Sequence, residues 1–360
     1  MQKLKYALIG CGRISKNHLS AAQNNDLDIA AICDILTDAM DDKIAKFDLG
    51  YLHKYTDHNE MLEKEALDLV AIATESGSHA EIALNCIRKG IHVIVEKPFT
   101  LSTSDAEEII SESKKYNVKV SVCHQNRFNK AIQVTRNAVE SNALGKMLYS
   151  VANIRWNRDH DYFKQASWRG TWAQDGGALM NQCIHNIDLL LWMMGNKVTE
   201  VFAYTNRLTH PYIEAEDLGL AVVKFANGGY GIVEGTVNVY DSNFEETLCL
   251  FGSEGTIKIG GKSVNAIEHW KVKDSDESAE SLHNRFSEDP PDVYGFGHTP
   301  LYKDMLDAII NNRKPYIDAV DGKNAIEFIL AVHKSAVEGR PVNLPITNAA
   351  TTDFANRFCN

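Results

Sequence analysis

Cysteines are few in this chain, and their spacing forms neither a disulfide nor a zinc-site pattern. The seven cysteines among the 360 residues are odd in number, and no two form a Cys-x-x-Cys pair. Four of them lie in or beside apolar segments, where a free cysteine behaves as a small buried hydrophobic residue: Cys11, Cys33, Cys123 and Cys183. We therefore predict neither a disulfide framework nor a metal site, which fits a reducing compartment.

Long apolar runs and excess positive charge are also absent. No stretch approaches the roughly 20 apolar residues that a membrane span needs, and no signal-peptide pattern follows the first residues. Asp and Glu number 48 against 37 Lys and Arg, so the formal net charge is −11. Nucleic acids and anionic membranes are not expected as partners, because each requires a basic surface. The expected location is the cytoplasm.

The first third of the chain alternates between strand and helix patterns. Short apolar runs fall at 6–9, 29–33, 67–73, 92–95 and 118–122, with helical periodicity at 78–89 and 102–115. Near-continuous apolar strands separated by helices are typical of a parallel sheet covered on both faces. Since 360 residues suit two domains, we predict a first α/β domain over residues 1–125.

Strand-like segments dominate the rest of the chain. They lie at 147–156, 198–208, 218–225, 230–239 and 246–251, and Asn227-Gly228-Gly229 predicts a tight hairpin between two of them. Helical patterns fall at 131–140, 177–194, 300–311 and 322–338, whereas the polar stretch 273–291 predicts a surface loop. We predict a second α/β domain over 126–345, with an open, mostly antiparallel sheet, followed by a tail over 346–360.

A glycine-rich turn closes the first strand. In Gly10-Cys11-Gly12-Arg13-Ile14-Ser15, Gly10 permits the sharp turn, and Gly12 lets a pyrophosphate approach the backbone at the positive end of the next helix. Asp34 ends the second strand, where a carboxylate accepts the ribose hydroxyls of NAD and repels the 2′-phosphate of NADP. This strand–turn–helix context predicts a dinucleotide-binding domain that prefers NAD. An ordinary glycine turn and a turn-capping aspartate are the alternatives.

Further motifs carry a family resemblance. They are Ala73-Thr74-Glu75-Ser76-Gly77-Ser78-His79, Val95-Glu96-Lys97-Pro98, Trp168-Arg169-Gly170 and the run from Gly176 to Asp188. Together with the glycine turn, they make nearly the whole chain resemble the glucose-fructose oxidoreductase/inositol dehydrogenase (Gfo/Idh/MocA) family. The resemblance implies a Rossmann domain followed by an α/β domain with an open sheet. It also implies an enzyme that oxidises a secondary alcohol of a sugar with NAD.

The resemblance gives individual residues a role. Lys97 is expected beside the nicotinamide, on the reacting hydroxyl, and His185 is expected to approach the same hydroxyl from the second domain. Alcohol oxidation needs a base near neutral pKa and a cation for the developing oxyanion. We assign His185 as proton acceptor and Lys97 as polarising group; exchanged or shared roles are the alternative. The predicted cofactor contacts are Gly10, Gly12, Arg13, Ile14, Asp34, Thr74, Ser76, His79, Glu96, Lys97, Asn126, Trp168 and Arg169.

Helical spacing groups polar side chains around His185. Asn181, His185 and Asp188 are at i, i+4 and i+7, so they share one face of the predicted helix. Many family members carry Asp where Asn181 stands, so we expect Asn181 to orient a sugar hydroxyl rather than to relay a proton. The alternative is that His185 is a core histidine paired with Asp188.

One branch of the family is more similar than the rest. The run 169–185 and His124-Gln125-Asn126-Arg127-Phe128-Asn129 look like the branch that oxidises C3 of UDP-N-acetyl-glucosaminuronic acid for bacterial surface polysaccharides, lipopolysaccharide among them. Some members of that branch regenerate NAD with 2-oxoglutarate. Arginine binds the carboxylate and pyrophosphate of such a substrate in a bidentate manner, and solvated surface arginines are the alternative. The predicted substrate contacts are Lys97, Arg127, Arg155, Arg158, Tyr162, Thr171, Asn181, His185 and His298, the last closing the pocket or capping a helix.

Two other functions remain as alternatives. A dehydrogenase of a free polyol or sugar, such as inositol, needs no nucleotide-binding groove. A non-catalytic NAD-binding regulator, like the galactose-regulon repressor of yeasts, needs neither Lys97 nor His185, and both are present.

An antiparallel sheet with helices on one side leaves its other face available for burial. We therefore also predict a homo-oligomer of even order, a dimer or a tetramer, and we favour the tetramer.

Overall fold

The computed structural model describes residues 3–288 and 295–358. The chain divides into two compact units. The first consists of the residues up to Thr100, Ser104–Cys123 and His298–Lys323, and the second of Leu101–Thr103, His124–Gly297 and the residues from Asn324 onwards. No helix among the described residues combines the length and apolar character that crossing a bilayer requires.

Helices and strands are numbered in chain order through both units. The strands are β1 (Lys5–Ile9), β2 (Asp28–Cys33), β3 (His53–Tyr55), β4 (Leu69–Ile72), β5 (His92–Val95), β6 (Val120–Val122), β7 (Met147–Arg155), β8 (Val198–Asn206), β9 (Leu218–Phe225), β10 (Tyr230–Thr236), β11 (Glu245–Gly252), β12 (Gly255–Gly260), β13 (Ala266–Val272) and β14 (Val342–Asn343). The helices are α1 (Ser15–Asn24), α2 (Thr37–Phe47), α3 (His58–Lys64), α4 (His79–Arg88), α5 (Thr103–Lys115), α6 (Lys130–Glu140), α7 (His160–Lys164), α8 (Ala178–Asn181), α9 (Ile184–Met193), α10 (Ala279–Phe286), α11 (His298–Ile310) and α12 (Ala319–Glu338).

The sheet of the first unit is parallel, with the strand order β3-β2-β1-β4-β5-β6 that is typical of dinucleotide-binding folds. The side chains of Leu8, Ile32, Val70 and Ile94 are fully buried, because helices cover both faces. The predicted Rossmann domain is therefore confirmed. The edge strand β3 was not predicted, because its three residues are polar and at least partly exposed.

Helix α11 returns from far along the chain to the first unit. It packs against α1, and the Tyr302 hydroxyl on α11 lies 2.9 Å from the Tyr6 hydroxyl on β1. Residues 298–323 thus belong to the first unit, whereas the sequence-based division placed them within 126–345. The periodicity of 300–311 predicts a helix, but it carries no information about which sheet that helix covers.

The sheet of the second unit is open, in the order β13-β12-β11-β7-β10-β9-β8-β14. β7 and β10 form a parallel pair, and the other pairs are antiparallel. The predicted hairpin at Asn227-Gly228-Gly229 joins β9 to β10. The largely buried α9 packs against β7 and β11. The α/β class with a mostly antiparallel second sheet is confirmed.

Two segments of the second unit differ from the sequence prediction. The helix predicted over 177–194 is interrupted between α8 and α9, where Cys183 N donates to Ala178 O, five residues back. The loop predicted over 273–291 contains α10, which Ser278 caps and which buries Leu282; residues 289–291 lie outside the described residues. One buried apolar residue in a polar stretch is too weak a periodic signal to predict a helix.

The last described residues pack against the second unit, although 346–360 was predicted as a tail. Thr351 and Phe354 are buried. Thr351 Oγ1 donates to Trp172 O at 2.6 Å, and the Phe354 and Trp172 rings lie 5.8 Å apart. These contacts place Thr351 and Phe354 in the core of the second unit, while residues 359–360 lie outside the described residues.

Candidate active site

The turn after β1 is shaped for a dinucleotide. Gly10 has a φ of +95°, and a Cβ there would overlap the backbone of Ala73. Gly12 is exposed, and a Cβ there would meet no atom within 4 Å, so a ligand can reach the backbone at the start of α1. Arg13 is exposed and Ile14 half-buried beside it. The residues present therefore fit the pyrophosphate of NAD.

Asp34 follows β2 and lies beside the same turn. Its carboxylate accepts hydrogen bonds from Cys11 N at 2.6 Å and from Leu36 N at 2.8 Å. The side chain stays half-exposed. The two backbone amides orient the carboxylate and leave lone pairs for further donors, which is the geometry that the predicted ribose contact needs.

The loop after β4 is tied to the loop after β5. His79 is buried, and its ring nitrogens lie 2.8 Å from Pro98 O and 3.3 Å from Thr74 O. Thr74 Oγ1 accepts a hydrogen bond from Ser78 at 2.8 Å, and Ser76 is buried. The imidazole of His79 contacts backbone carbonyls, so it supports a cofactor site through these loops.

Lys97 is the second residue after β5, at the carboxyl edge of the parallel sheet where ligands bind in such folds. It is half-buried, and its backbone N–H donates to Glu96 Oε2 at 3.1 Å. Glu96 is 5% exposed, and its Oε1 lies 3.0 Å from His18 Nε2 and 3.1 Å from His298 Nε2. The Glu96 side chain, predicted as a cofactor contact, is therefore directed into the interior of the first unit.

His185 lies in the first turn of α9 and is half-buried. Its ring is perpendicular to that of His124, with the centroids 6.1 Å apart. Asp188, one turn later, accepts two hydrogen bonds from Arg127, at 2.8 and 2.6 Å. Because Arg127 engages this carboxylate, the alternative in which His185 is a core histidine paired with Asp188 is disfavoured.

Two arginines flank one tyrosine in the second unit. Tyr162 Oη accepts hydrogen bonds from Arg169 at 2.6 Å and from Gln182 at 2.9 Å. The guanidinium carbons of Arg158 and Arg169 lie 5.1 and 4.4 Å from the centroid of its ring. Burial raises the pKa of Tyr162, so the phenol is neutral. This arginine–tyrosine cluster (Arg158, Tyr162, Arg169 and Gln182) ends three residues before His185 and concentrates positive charge, as recognition of a carboxylate or phosphate requires.

The structure corrects the prediction that Arg127 and Arg155 grip an acidic group of the substrate. Arg127 is 1% exposed and is paired with Asp188. Arg155 donates to Glu234 at 2.7 Å and is also paired with Glu245. Each guanidinium already has a carboxylate partner, which offsets its charge and occupies its fork. These carboxylate partners lie 61 to 90 residues away along the chain, so a local sequence pattern does not identify them.

His298 also lies elsewhere than predicted. It is the first residue of α11, is 3% exposed, and contacts Glu96 in the first unit. Its ring packs edge-on against that of His18, with centroids 5.2 Å apart. The histidine therefore begins a helix, and its imidazole is part of a buried hydrogen-bond network.

The remaining predicted residues shape loops of the second unit. Asn181 on α8 donates its amide to the buried carboxylate of Asp175. Thr171 Oγ1 donates to Trp168 O at 2.7 Å, and both residues are half-buried. Asn126 is buried in a short 3-10 turn. Asn181 therefore holds the 170–177 loop, in addition to any contact with a sugar hydroxyl.

The buried carboxyl groups that sequence reasoning missed in the second unit include those of Glu216 and Glu246. Glu216 Oε1 accepts from Leu179 N at 2.9 Å at the start of α8, and Glu246 lies on β11. Both are at most 5% exposed, and burial raises the pKa of each to about 8. A glutamate, whether in a loop like Glu216 or in a strand pattern like Glu246, is normally solvent-facing, so neither residue carries a sequence signal for burial.

Two family models match the chain. A model described as an oxidoreductase family with an NAD-binding Rossmann fold matches residues 4–124, and one described as the GFO/IDH/MocA C-terminal domain matches residues 132–258. The first match covers the glycine turn, Asp34 and Lys97. The second covers the arginine–tyrosine cluster and His185.

Similar proteins extend over nearly the whole chain. The WlbA dehydrogenase from Bordetella pertussis, solved with NADH and UDP-GlcNAcA, is 32% identical, with a TM-score of 0.88 over 96% of this chain and 99% of that chain. WlbA from Chromobacterium violaceum, solved with the same two ligands, is 31% identical, with a TM-score of 0.87 over 96% and 97%. Myo-inositol 2-dehydrogenase from Thermotoga maritima is 27% identical over 351 residues, which are 95% of this chain and 98% of that protein. The chain therefore belongs to the GFO/IDH/MocA oxidoreductase family and is an NAD-dependent dehydrogenase of the sugar and polyol class.

Proposed function

We propose that the protein oxidises the C3 hydroxyl of UDP-N-acetyl-glucosaminuronic acid with NAD⁺. The arginine–tyrosine cluster carries the proposal, because it gathers two guanidinium groups that an uncharged polyol would not need. The two WlbA proteins, at 31% and 32% identity, hold UDP-GlcNAcA together with NADH. Their ligands support the same substrate class for this chain. We place the reaction in the synthesis of a bacterial surface polysaccharide such as lipopolysaccharide.

In the proposed reaction, His185 takes the proton of the C3 hydroxyl as the hydride leaves the same carbon. The Lys97 ammonium group donates a hydrogen bond to that oxygen and stabilises the negative charge that develops there. Bound NAD⁺ supplies the hydride acceptor. The products are the 3-keto sugar and NADH, and His185 passes its proton to solvent.

Arg158 and Arg169 are the proposed ligands of the acidic groups. Arg158 also stacks on Trp156, and Arg169 on Trp168, with guanidinium carbons 4.7 and 4.5 Å from the ring centroids. Each guanidinium lies close to two aromatic rings, which restrict its motion, so less side-chain entropy is lost when an anion binds. Arg169 was predicted as a cofactor contact, and its place in this cluster favours the substrate.

A free polyol is the second candidate substrate. The myo-inositol 2-dehydrogenase from Thermotoga maritima matches nearly the full chain at 27% identity, and inositol carries no charge for the arginine–tyrosine cluster to bind. The two candidates therefore differ in how they respond to loss of these arginines. A non-catalytic NAD-binding regulator differs from both, since it would reduce no NAD⁺ with any sugar.

The decisive comparison uses three arginine variants and both substrates. With UDP-N-acetyl-glucosaminuronic acid, Arg158→Gln and Arg169→Gln should each raise KM by roughly 10- to 100-fold, because a charge-assisted hydrogen bond contributes about 1.5–3 kcal/mol. Arg155→Gln is the matched control and should leave KM within about twofold, since its partners are Glu234 and Glu245. NADH formation with myo-inositol but not with UDP-N-acetyl-glucosaminuronic acid would contradict the proposed substrate.

Assembly and cofactor recycling are further parts of the proposal. On the second sheet, Leu220, Val222, Tyr230 and Ile232 are 41%, 54%, 51% and 43% exposed, an apolar face that supports burial in a homo-oligomer. Light scattering should therefore give an even multiple of 40.1 kDa, and a mass of one chain would contradict this. Regeneration of NAD by 2-oxoglutarate should appear as loss of NADH absorbance when that acid is added.

A further inference from the structure

A closed network of side chains surrounds the carboxyl group of Glu96 at the end of β5. We call it the Glu96 network; its members are His18, Glu96, Cys123, His298 and Tyr302, none more than 5% exposed. The two histidines approach one carboxylate oxygen at 3.0 and 3.1 Å, and the Cys123 thiol hydrogen-bonds the same carboxyl group. Helices α1 and α11 and the segment after β6 thus converge on the residue before Lys97.

The direction of each hydrogen bond follows from the charge on Glu96. Burial would raise its pKa, but the hydrogen bonds from His18 and His298 hold it well below its usual range. Burial lowers the pKa of His18, so this ring is neutral. A neutral imidazole that donates from Nε2 accepts at Nδ1, which lies 2.7 Å from the Tyr302 hydroxyl. Tyr302 therefore donates to His18 and accepts from Tyr6 at 2.9 Å.

We propose that Glu96 is the positioning residue for Lys97, a role that rests on the function proposed above. The second carboxylate oxygen, Oε2, accepts the backbone N–H of Lys97 at 3.1 Å. Because two imidazoles on separate helices hold Oε1, the carboxylate cannot rotate, and the Lys97 peptide is held with it. A displacement of about 1 Å in a reacting group can lower turnover by roughly 10²-fold, so this support matters for rate more than for binding.

The network also gives α11 a function. His298 reaches Glu96 from 202 residues along the chain, and Tyr302, one turn later on α11, orients His18. The segment that joins the first unit late in the sequence therefore completes the support behind Lys97. The ligand-type atoms of His18, Glu96, Cys123 and His298 lie within 4.8 Å of one another, so a bound transition metal is the competing explanation for this cluster.

Glu96→Gln is the first test. Glutamine keeps the shape and still accepts from the imidazoles, but its amide N–H₂ faces the Lys97 N–H, which it cannot accept. We expect kcat to fall by roughly 10²-fold, while KM and the Kd for NAD⁺ stay within about threefold. Glu65→Gln is the control, because Glu65, like Glu96, has a histidine beside its carboxylate, His53, although its other partner is Tyr55; this variant should leave kcat unchanged.

A second pair of variants keeps the proposal testable if Glu96→Gln does not fold. His298→Leu removes one donor to Glu96 and should lower kcat about tenfold at unchanged KM, whereas His298→Gln retains a donor and should restore most of kcat. If Lys97→Ala keeps turnover, the proposed chemistry itself fails. If Lys97→Ala is inactive but Glu96→Gln or His298→Leu turns over like wild type, the positioning role alone is overturned. One equivalent of zinc per purified chain, lost in His298→Leu, would also overturn it.

Discussion

The two units hold buried glutamates in opposite charge states. In the first unit, imidazole donors keep the pKa of Glu96 well below its usual range against the effect of burial. In the second, burial raises the pKa of Glu216 and Glu246 to about 8, and Oε2 of each receives no hydrogen bond within the described residues. Burial therefore favours the neutral form of a carboxyl group, and Glu96 stays ionised because imidazole donors on two other helices offset this effect.

The largest expected effect tests whether the hydrogen-bond donors around a buried carboxyl group, rather than the unit in which it lies, determine its charge state. Asp188 lies in the second unit but pairs with Arg127 through two hydrogen bonds, and both side chains are buried. Asp188→Asn should lower the free energy of unfolding by about 3–5 kcal/mol, because it leaves a buried guanidinium unpaired. Glu234→Gln, which removes a partner of the half-exposed Arg155, should cost less than about 1 kcal/mol.

Urea-induced unfolding at neutral pH measures both free energies on the same scale. Equal losses in the two variants would show that burial of the Arg127 pair adds nothing. A loss below about 1 kcal/mol in Asp188→Asn would break the comparison, because it would mean that a buried charge in the second unit needs no partner.

The next effect is a dependence of stability on pH. The folded pKa of Glu216 and Glu246, about 8, exceeds the ordinary value of 4.5. Between about pH 4.5 and 8 the folded state therefore retains protons that the unfolded state releases, so the stability that these carboxyl groups contribute declines as pH rises across this range and is lost by about pH 8. Glu216→Gln and Glu246→Gln have no proton to lose, so each should remove on the order of 2 kcal/mol of the decline between pH 6 and 9.

Thermal unfolding of wild type and both variants at pH 6 and pH 9 measures this effect. The Glu96 carboxylate has the opposite sign: its folded pKa is lowered, so its contribution is present at neutral pH and is lost in acid. Glu96→Gln should therefore lower the melting temperature at pH 7 and leave the alkaline decline in place. The same pH slope in wild type and in the Glu216 and Glu246 variants would contradict the assigned charge states.

The smallest expected effect concerns helix caps, which should be alike in the two units. Asp57 caps α3 by accepting from Asn59 N at 2.9 Å, and Ser278 caps α10 by accepting from Ser281 N at 3.0 Å. Asp57→Ala and Ser278→Ala should each cost about 1 kcal/mol of unfolding free energy, because each leaves an amide of the first turn unsatisfied. A cost several times larger in one unit would show that the units differ at their surfaces as well as in their interiors.

Strands with strong local signals could be predicted from the sequence. β1 and β5 are apolar runs, and β9 and β10 alternate around an Asn-Gly-Gly turn, so sequence period and turn chemistry agree with the fold. β3 and α10 were missed, because a polar three-residue strand and a helix with one fully buried residue carry almost no periodic signal. The sequence therefore does not predict short elements, such as β3 and α10, that tertiary packing stabilises.

The candidate site was predictable where a residue and its partners belong to one local motif. Gly10, Gly12 and Asp34 have the geometry that their motif implies, because strand, turn and helix are adjacent in sequence. Arg127 and His298 were misplaced, since their roles depend on Asp188 and Glu96, which are 61 and 202 residues away. A sequence pattern identifies a charged residue without revealing which partner tertiary structure gives it.

The most direct test of the proposed function is a single measurement of NADH absorbance. Purified protein is mixed with NAD⁺ and UDP-N-acetyl-glucosaminuronic acid. Parallel reactions contain the Lys97→Ala variant, or myo-inositol in place of the nucleotide sugar. We predict that NADH forms with the nucleotide sugar and that Lys97→Ala abolishes its formation while still binding NAD⁺. No NADH with the nucleotide sugar, in protein shown separately to bind NAD⁺, would contradict the account.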